Sequence, residues 1–514
     1  MAVLTFGTGA MAADRAGAAA LQADFDGFLA DLEQAMPLRI EPESPVQVTV
    51  KGDAYQVDIA PLVVHIEGPD GTVAELLLSR TSMRLVPDRG DPDLTAFEVL
   101  VMPAIGIEIG GRAVVHLSYG SMSASGRWSD ALDQMMDFRS RATDVSIAID
   151  LGSAALLPVG QPSSFVTTIA LLESEQALTA QPRDLWAVRN SVRLEGMSGT
   201  FVRDAGPIEF QRYDSLAMDA TMSGVPLEAW RDYVVHWLPA LLSAAVAGEG
   251  LDRDDLVAMV IEMPTLFDGL VMTTTSEGVL SQGVEFDRQE QRVEIQGASL
   301  DVLDFSSLDT GSGIRFLPAE DDAFPELSAL AAALMPESYS VGLEMHRIPF
   351  GHAWRALLDT VDVWIDDPQA AADIFFRSFA SRAQTLASDG TLDVELDWPG
   401  AQLAVLSSVV ADPDAALGIT ATIDGAFTDM EAIADLLIAA DQAETAAGFA
   451  VLQAFGQREE TGDAVVIRYR LDVPADGMIT FNGQDLGPVT NMVDDMVRGL
   501  GFRDFGEDWI PDQD

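Results

Sequence analysis

The 514-residue chain contains no cysteine. That excludes a disulfide framework, a thiolate nucleophile, an iron–sulfur cluster and a cysteine-based zinc site. Lysine is nearly missing as well: Lys51 is the only one, and every other basic residue is arginine. A phosphate loop ending in Gly-Lys is therefore excluded, because Lys51 does not follow such a run. Positive charge of any kind is scarce. The 29 basic residues face 82 acidic ones, for a formal charge of −53. A surface of that sign opposes nucleic-acid binding, which needs cations to displace the counterions of the phosphates. It equally opposes electrostatic docking on anionic lipid.

Long apolar runs are missing too. The best, Val234 to Ala247, is interrupted by His236, Pro239 and Ser243. It falls short of the roughly 18 apolar residues that a bilayer span needs. No transmembrane segment is expected. Asn190, Asn482 and Asn491 do not begin glycosylation sequons.

What remains describes a globular protein. Hydrophobic residues make up 48% of the chain, so its acidity does not signal disorder. The length allows about three domains. Two readings of the acidity stand side by side: adaptation to salty surroundings, and solubility in a compartment of variable ionic strength. A calcium-loaded surface is a weaker third. Asp88, Asp91 and Asp93, or Asp252, Asp254 and Asp255, supply carboxylates without the spacing of a calcium loop.

The N-terminus reads as an export signal whose front is missing. Residues 2–6 are mostly apolar, and Ala10-Met11-Ala12 places small residues where a signal peptidase cuts. No Lys or Arg precedes them, so residues 1–13 are expected to be a truncated signal peptide; the alternative is an ordinary frayed end. The protein is then expected in the periplasm, or otherwise exported.

Further along, residues 14–36 form an apolar stripe of Leu21, Phe25, Phe28, Leu29 and Leu32, which predicts a helix ended by Pro37. Residues 46–118 alternate as strands. Turns are expected at Lys51-Gly52-Asp53, Gly68-Pro69-Asp70-Gly71 and Gly110-Gly111. The Ser-rich run Gly120 to Gly126 reads as a flexible link, and Trp128 to Phe138 as a short helix. Residues 143–225 return to strands, with Val145, Ile147, Ile149 and Leu151 on one face. Helix is expected over 226–263, strand over 271–308, and a short helix over Leu327 to Leu334. Asp367-Pro368 predicts an N-cap and first turn, and Thr428-Asp429-Met430-Glu431 a capping box.

Three segments share one design: an alternating strand, a tight apolar corner, then an amphipathic helix. The corners fall at Pro226, Pro349 and Phe427, 123 and 78 residues apart. Each is followed by paired strands, expected to turn at Asp287-Arg288-Gln289, at Trp398-Pro399-Gly400 and at Pro474 to Gly477. Irregular spacing fits a duplicated module with unequal insertions, or chance reuse of one strand–helix grammar. The fold class is α+β. An extended, curved antiparallel sheet is built from repeated strand–corner–helix–hairpin modules, with helices on one face. The segments expected are 14–142, 143–318 with a helical insert at 226–263, 319–412, and 413–514.

The N-terminus, these repeats and the closing stretch Tyr469-Arg470-Leu471-Asp472-Val473-Pro474, then Ile479-Thr480-Phe481-Asn482-Gly483-Gln484, carry a resemblance. The chain resembles uncharacterised bacterial envelope proteins of the type grouped as domain of unknown function 2125. The resemblance implies an exported protein without assigned activity, and it carries over no catalytic residue.

Chemistry is hard to find. The five histidines, His65, His116, His236, His346 and His352, form no His-Glu-x-x-His motif. Glu344, His346 and His352 are a remote metal candidate; a solvated strand and a helix start explain them more simply. Gly-x-Ser-x-Gly and the dinucleotide fingerprint are missing. Carboxylates are too many for any pair to be informative. No catalytic residue, metal or cofactor is assigned, and the expected role is non-enzymatic. Trp230, Trp237, Trp354 and Trp364 lie in or beside the helices after the corners. They either pack those helices on the sheet or line an apolar groove for a lipid-like ligand. The expected partner is that ligand or another envelope protein. A pure interaction module and a carboxylate-dependent hydrolase are the rivals.

Overall fold

A computed structural model describes residues 13–488, except 36–37, 68–72, 92, 110, 133, 151–163, 204–205, 248–252, 263–266, 282, 298–301, 318–324, 362–366 and 462–463. The signal-like residues 1–12, Leu151 and Trp364 therefore lie outside the described residues, as does the whole of the expected turn at 68–71. The chain is mostly antiparallel strand, with eight helices among the described residues. It divides into two compact units, Met1–Glu290 and Gln291–Asp514.

The first unit opens with helix α1 (Arg15–Ala35), whose Leu21 and Phe25 are buried as their spacing predicts. Ten short strands follow: β1 (Leu38–Pro42), β2 (Gln47–Lys51), β3 (Ala54–Ile59), β4 (Leu62–Glu67), β5 (Val73–Leu78), β6 (Thr81–Pro87), β7 (Leu94–Val101), β8 (Ile105–Ile109), β9 (Arg112–Ser118) and β10 (Ser121–Ser129). Four long strands come next: β11 (Gln134–Asp150), β12 (Ser164–Gln181), β13 (Leu185–Arg203) and β14 (Gly206–Val225). Helices α2 (Leu227–Ala247) and α3 (Arg253–Glu262) precede β15 (Gly269–Ser281), and β16 (Val284–Gln296) runs from the end of this unit into the start of the next.

One ladder runs β2–β3–β6–β7–β10–β11–β12–β13–β14–β15. A second series, β1–β4–β5–β8–β9, joins the far half of β11. The two series are halves of one creased sheet. From Val115 to Arg127, β9 and β10 keep one register along β11, interrupted at Tyr119-Gly120 beside Asp144; it shifts again between Arg127 and Trp128. The crease continues through the rungs Asp144–Ala170, Ala170–Gly196, Gly196–Asp214 and Asp214–Gly278, which the regular ladders skip. Asp144, Gly196 and Gly278 adopt φ of 51°, 59° and 58°, alternating with their partners across the sheet. A left-handed residue breaks the two-residue alternation of side chains. Accordingly Ala142 and Val145, three apart, pack into the same apolar cluster with Ile169.

The strands depart from expectation at four places. Gly120 to Gly126 is no flexible link, and Trp128 to Phe138 is no helix. Met122, Ala124 and Trp128 alternate with serines and Arg127 along β10, while β11 begins at Gln134. Trp128 is buried in the α1 cluster with Leu85 and Val57, and that burial fixes the local extended backbone. Gly126 must be small: a Cβ there would stand 2.2 Å from the Asp137 carbonyl oxygen. Third, Asp287-Arg288-Gln289 lies inside β16; the turn comes earlier, at Gly283 with φ 82°. The Arg288–Glu290 ion pair belongs to a strand of alternating charges rather than to a turn. The fourth place lies in the second unit.

That unit comprises β17 (Leu303–Ser312), β18 (Arg315–Phe316), α4 (Pro325–Leu334), β19 (Ser338–Ile348), α5 (Phe350–Leu358), α6 (Pro368–Leu386), β20 (Asp389–Trp398), β21 (Ala401–Ala411) and β22 (Ile419–Thr428). It ends with α7 (Met430–Ala439), α8 (Ala443–Phe455), β23 (Gln457–Thr461), β24 (Ala464–Val473), β25 (Met478–Phe481) and β26 (Gln484–Pro488). Its ladder runs β17–β19–β20–β21–β22–β24, with β23 and β25 on the far side of β24. The turns at Gly400 and Gly477 are realised, with φ of 81° and 73°. So is the Asp367 cap, whose carboxylate accepts from the Ala370 N–H at 3.0 Å. The capping box at Thr428 is not formed. Thr428 ends β22 opposite Val466, so the corner is at Asp429, two residues beyond Phe427. Asp429, at φ 49°, instead exchanges two hydrogen bonds with Val465, of 2.8 and 2.9 Å. A bond to the neighbouring strand has displaced the local helix cap.

Most ion pairs between strands are exposed, where each contributes little, about 0–1 kcal/mol. Repulsion within a net charge of −53 acts over longer distances. Raising salt from about 0.01 to about 0.1 M shortens the screening length from about 30 to about 10 Å. The melting temperature is therefore expected to rise by several degrees over that interval in calorimetry. A fall would show that the attractive pairs dominate.

Candidate functional site

Concave surfaces occur in both units. One in the second unit carries an expected residue, Trp354. In the second unit, β19 runs into α5 across Pro349, whose carbonyl accepts the first helical bond from Ala353 N at 3.2 Å. Helix α5 packs on α6. Between them lies an apolar pocket of about 430 Å³ lined by Phe350, Trp354, Leu357, Phe375 and Phe376, together with Ala371 and Ala372. The Phe350 and Trp354 rings stack at 6.3 Å, and Phe350 meets Phe375 edge-on at 6.1 Å. Phe376 remains 65% exposed. A phenyl ring left in water, beside an apolar depression, is unfavourable unless something else covers it.

The other expected tryptophans are placed differently. Trp230 packs with Leu227 and Phe267 against Trp186 and Val188, and its ring meets Tyr233 edge-on at 5.5 Å. Trp237 is buried, and its indole N–H donates to Glu262 at 3.1 Å. Both hold α2 and α3 in place, and Trp354 alone of the three described lines the pocket. Burial also raises the Tyr233 hydroxyl above its ordinary pKa, with the Glu262 carboxylate adding to the effect.

The histidines do not converge. His346 lies exposed on β19, 3.6 Å from Asp304 and 3.9 Å from Glu344, whereas His352 is on α5. His65 sits between Glu41 at 3.3 Å and Glu75 at 3.2 Å, one carboxylate on each ring nitrogen. Among the described residues, no group of three or more His, Asp or Glu is arranged to hold a metal ion.

The second surface was missed by sequence reasoning. On the polar face of β10–β13, two adjoining depressions of about 580 and 650 Å³ share Ser125, Arg139, Glu175 and Ser191. Three cross-strand rows build this trough. Arg127, Asp137, Ala177 and Arg189 face one another in register. Two residues along come Glu98, Ser125, Arg139, Glu175 and Ser191. Ser123, Arg141, Glu173 and Arg193 form the third row. Its pairs differ in tightness. Arg127 donates to Asp137, and that hydrogen bond raises the guanidinium above its ordinary pKa. Arg141 and Glu173 meet at 2.6 Å. By contrast, Arg139 stands 3.5 Å from Glu175, and Arg189 is 3.9 Å from Asp219. The available signal was the alternation Asp137-x-Arg139-x-Arg141 and Arg189-x-Ser191-x-Arg193, which places each set on one strand face. Which sets become neighbours depends on register between strands.

Comparison with protein-family models, curated proteins and solved structures finds no match for this chain.

Proposed function

We propose that this chain is an exported bacterial envelope protein that acts by binding, and that the α5–α6 pocket receives the apolar part of a lipid-like molecule. One observation carries the reading: the aromatic pocket of about 430 Å³ with Phe376 exposed at its edge. Its lining is mostly apolar, as in small-molecule sites, and it is a shallow depression open to solvent, suited to the end of an apolar chain rather than to a wholly enclosed ligand. The periplasmic assignment is supported by the Ala10-Met11-Ala12 motif and the resemblance to envelope proteins of unknown function. We also read the passages β14–α2, β19–α5 and β22–α7 as copies of one module within an extended, curved sheet. A left-handed residue at or just before each corner supports this: Gly224, Arg347 and Asp429.

The test combines mass spectrometry of solvent extracts from native protein with titration of a fluorescent fatty acid. An amphiphile should co-purify, and Trp354→Ala or Phe376→Ala should weaken the fatty acid by about tenfold, the effect of roughly 1.4 kcal/mol. Lipid-free protein whose fatty-acid affinity is unchanged by both variants sinks the reading. A second reading, docking of another envelope protein, rests on α8, where Val451, Leu452 and Phe455 are 57%, 51% and 63% exposed. Crosslinking in cells from an α8 position would favour it if the purified protein proves lipid-free.

A further inference from the structure

The chain's few cations are not spread evenly. Arg127, Arg139, Arg141, Arg189 and Arg193 all line the trough on the first unit. The carboxylates lining it are Glu98, Asp137, Glu173 and Glu175. Arginines thus slightly outnumber carboxylates here, in a chain with 29 basic residues against 82 acidic. The trough concentrates arginines in a carboxylate-rich chain, with Glu195 and Asp219 beside Arg193 and Arg189 at 2.6 and 3.9 Å; a guanidinium is the side chain best shaped for gripping a carboxylate by two parallel hydrogen bonds.

From this we infer that the trough binds a polyhydroxylated chain bearing carboxylates, a uronate-type oligosaccharide. Arg139 and Arg189 receive its carboxylates. They are the loosely paired arginines, and their side chains are 75% and 71% exposed. Either can turn from its strand partner to a ligand at little cost, because an exposed pair at such separation stabilises the fold only slightly. The tight pairs Arg127–Asp137 and Arg141–Glu173 hold the walls. Ser125 and Ser191 lie between, each able to donate and accept. Glu175 and Glu98 only accept, so a ligand must bring donors of its own. Sugar hydroxyls supply these in number. An acidic peptide would bring few donors besides its backbone, and its apolar side chains would meet Phe97 and three alanines, Ala96, Ala124 and Ala177. Repulsion from the rest of the protein does not prevent binding at about 0.15 M salt, where fields beyond about 8 Å are screened.

The experiment is isothermal titration of the full chain at that salt with oligogalacturonate, neutral maltooligosaccharide and oligoglutamate. Oligogalacturonate is expected to bind at least about tenfold more tightly than either of the others. The Arg139→Gln/Arg189→Gln double variant should lose at least about tenfold of that affinity with an unchanged melting temperature. Arg470→Gln, on the second unit's sheet, should bind as the parent does. No binding of oligogalacturonate, or binding that the double variant retains, overturns the inference. Equal binding of maltooligosaccharide removes the role of the arginines, and equal binding of oligoglutamate removes the glycan. The fatty-acid titration reads a different pocket with a different probe, so either result stands without the other.

Discussion

Gly278→Val is expected to destabilise the first unit by about 2–5 kcal/mol, read as a lower urea midpoint with an unchanged slope. Two costs combine. Gly278 sits at φ 58°, where a β-branched residue is strained by about 1–3 kcal/mol. A Cβ there would also stand 2.1 Å from an Asp214 carboxylate oxygen, 2.3 Å from its Cγ and 2.8 Å from its Cβ. The carboxylate can swing aside, but the Asp214 Cβ moves only with its strand. The two costs are separable. Gly278→Ala paired with Asp214→Gly should recover the steric part and leave the backbone part of about 1–2 kcal/mol. If Gly278→Ala alone is neutral, the crease is not at this residue. Gly196 provides a milder companion, since its Cβ would meet the Ala170 Cβ at 3.0 Å, also at positive φ.

Leu437→Ala should cost about 2–5 kcal/mol in the second unit. Leu437 is 0% and Ile433 1% exposed; with Phe427, Met430, Ala446 and Ile467 they form the cluster that seats α7 on the sheet. Removing the isobutyl group leaves a cavity that these neighbours only partly fill. The adjacent residue is the control. Ile438 is 58% exposed, and Ile438→Ala should change stability by no more than about 0.5 kcal/mol. Chemical denaturation of both variants checks the contrast, and similar losses for the two would mean that α7 is seated on another face.

Leu437 and Ile438 also illustrate what the sequence holds. Both are aliphatic residues of a good helix, and the stripe Ile433, Leu436, Leu437, Ala440 was readable from spacing alone. That stripe correctly places Leu437 inward. The same kind of reading located α1 through Leu21 and Phe25, the Asp367 cap, and the turns at Gly52 and Gly400. Each depends on residues within a few positions of one another. Errors arose where a distant strand decided the local backbone. Trp128 to Phe138 carries helix-like spacing, yet α1 buries Trp128 and β7 takes up Ser125 to Ser129 as strand. Thr428 lost its capping role because Asp429 found Val465, 36 residues away in sequence.

The tryptophans divide along the same line. Helical placement made Trp230, Trp237 and Trp354 look equivalent. Phe267 and Glu262, both beyond α2 in the chain, engage the first two. Trp354 is left to the pocket because α5 meets α6 through aromatic rings that do not close over Phe376.

By itself, the sequence determined the charge of −53, the exclusion of cysteine chemistry, and the alternating strands punctuated by helices. These follow from composition and from periodicities of two and 3.6 residues, which are local properties. Tertiary structure alone decided the crease through Asp144, Gly196 and Gly278, and the gathering of Arg139 and Arg189 into one trough. Both require residues from separate strands to fall in register. Register is set by the sum of many cross-strand contacts, and no single segment carries it.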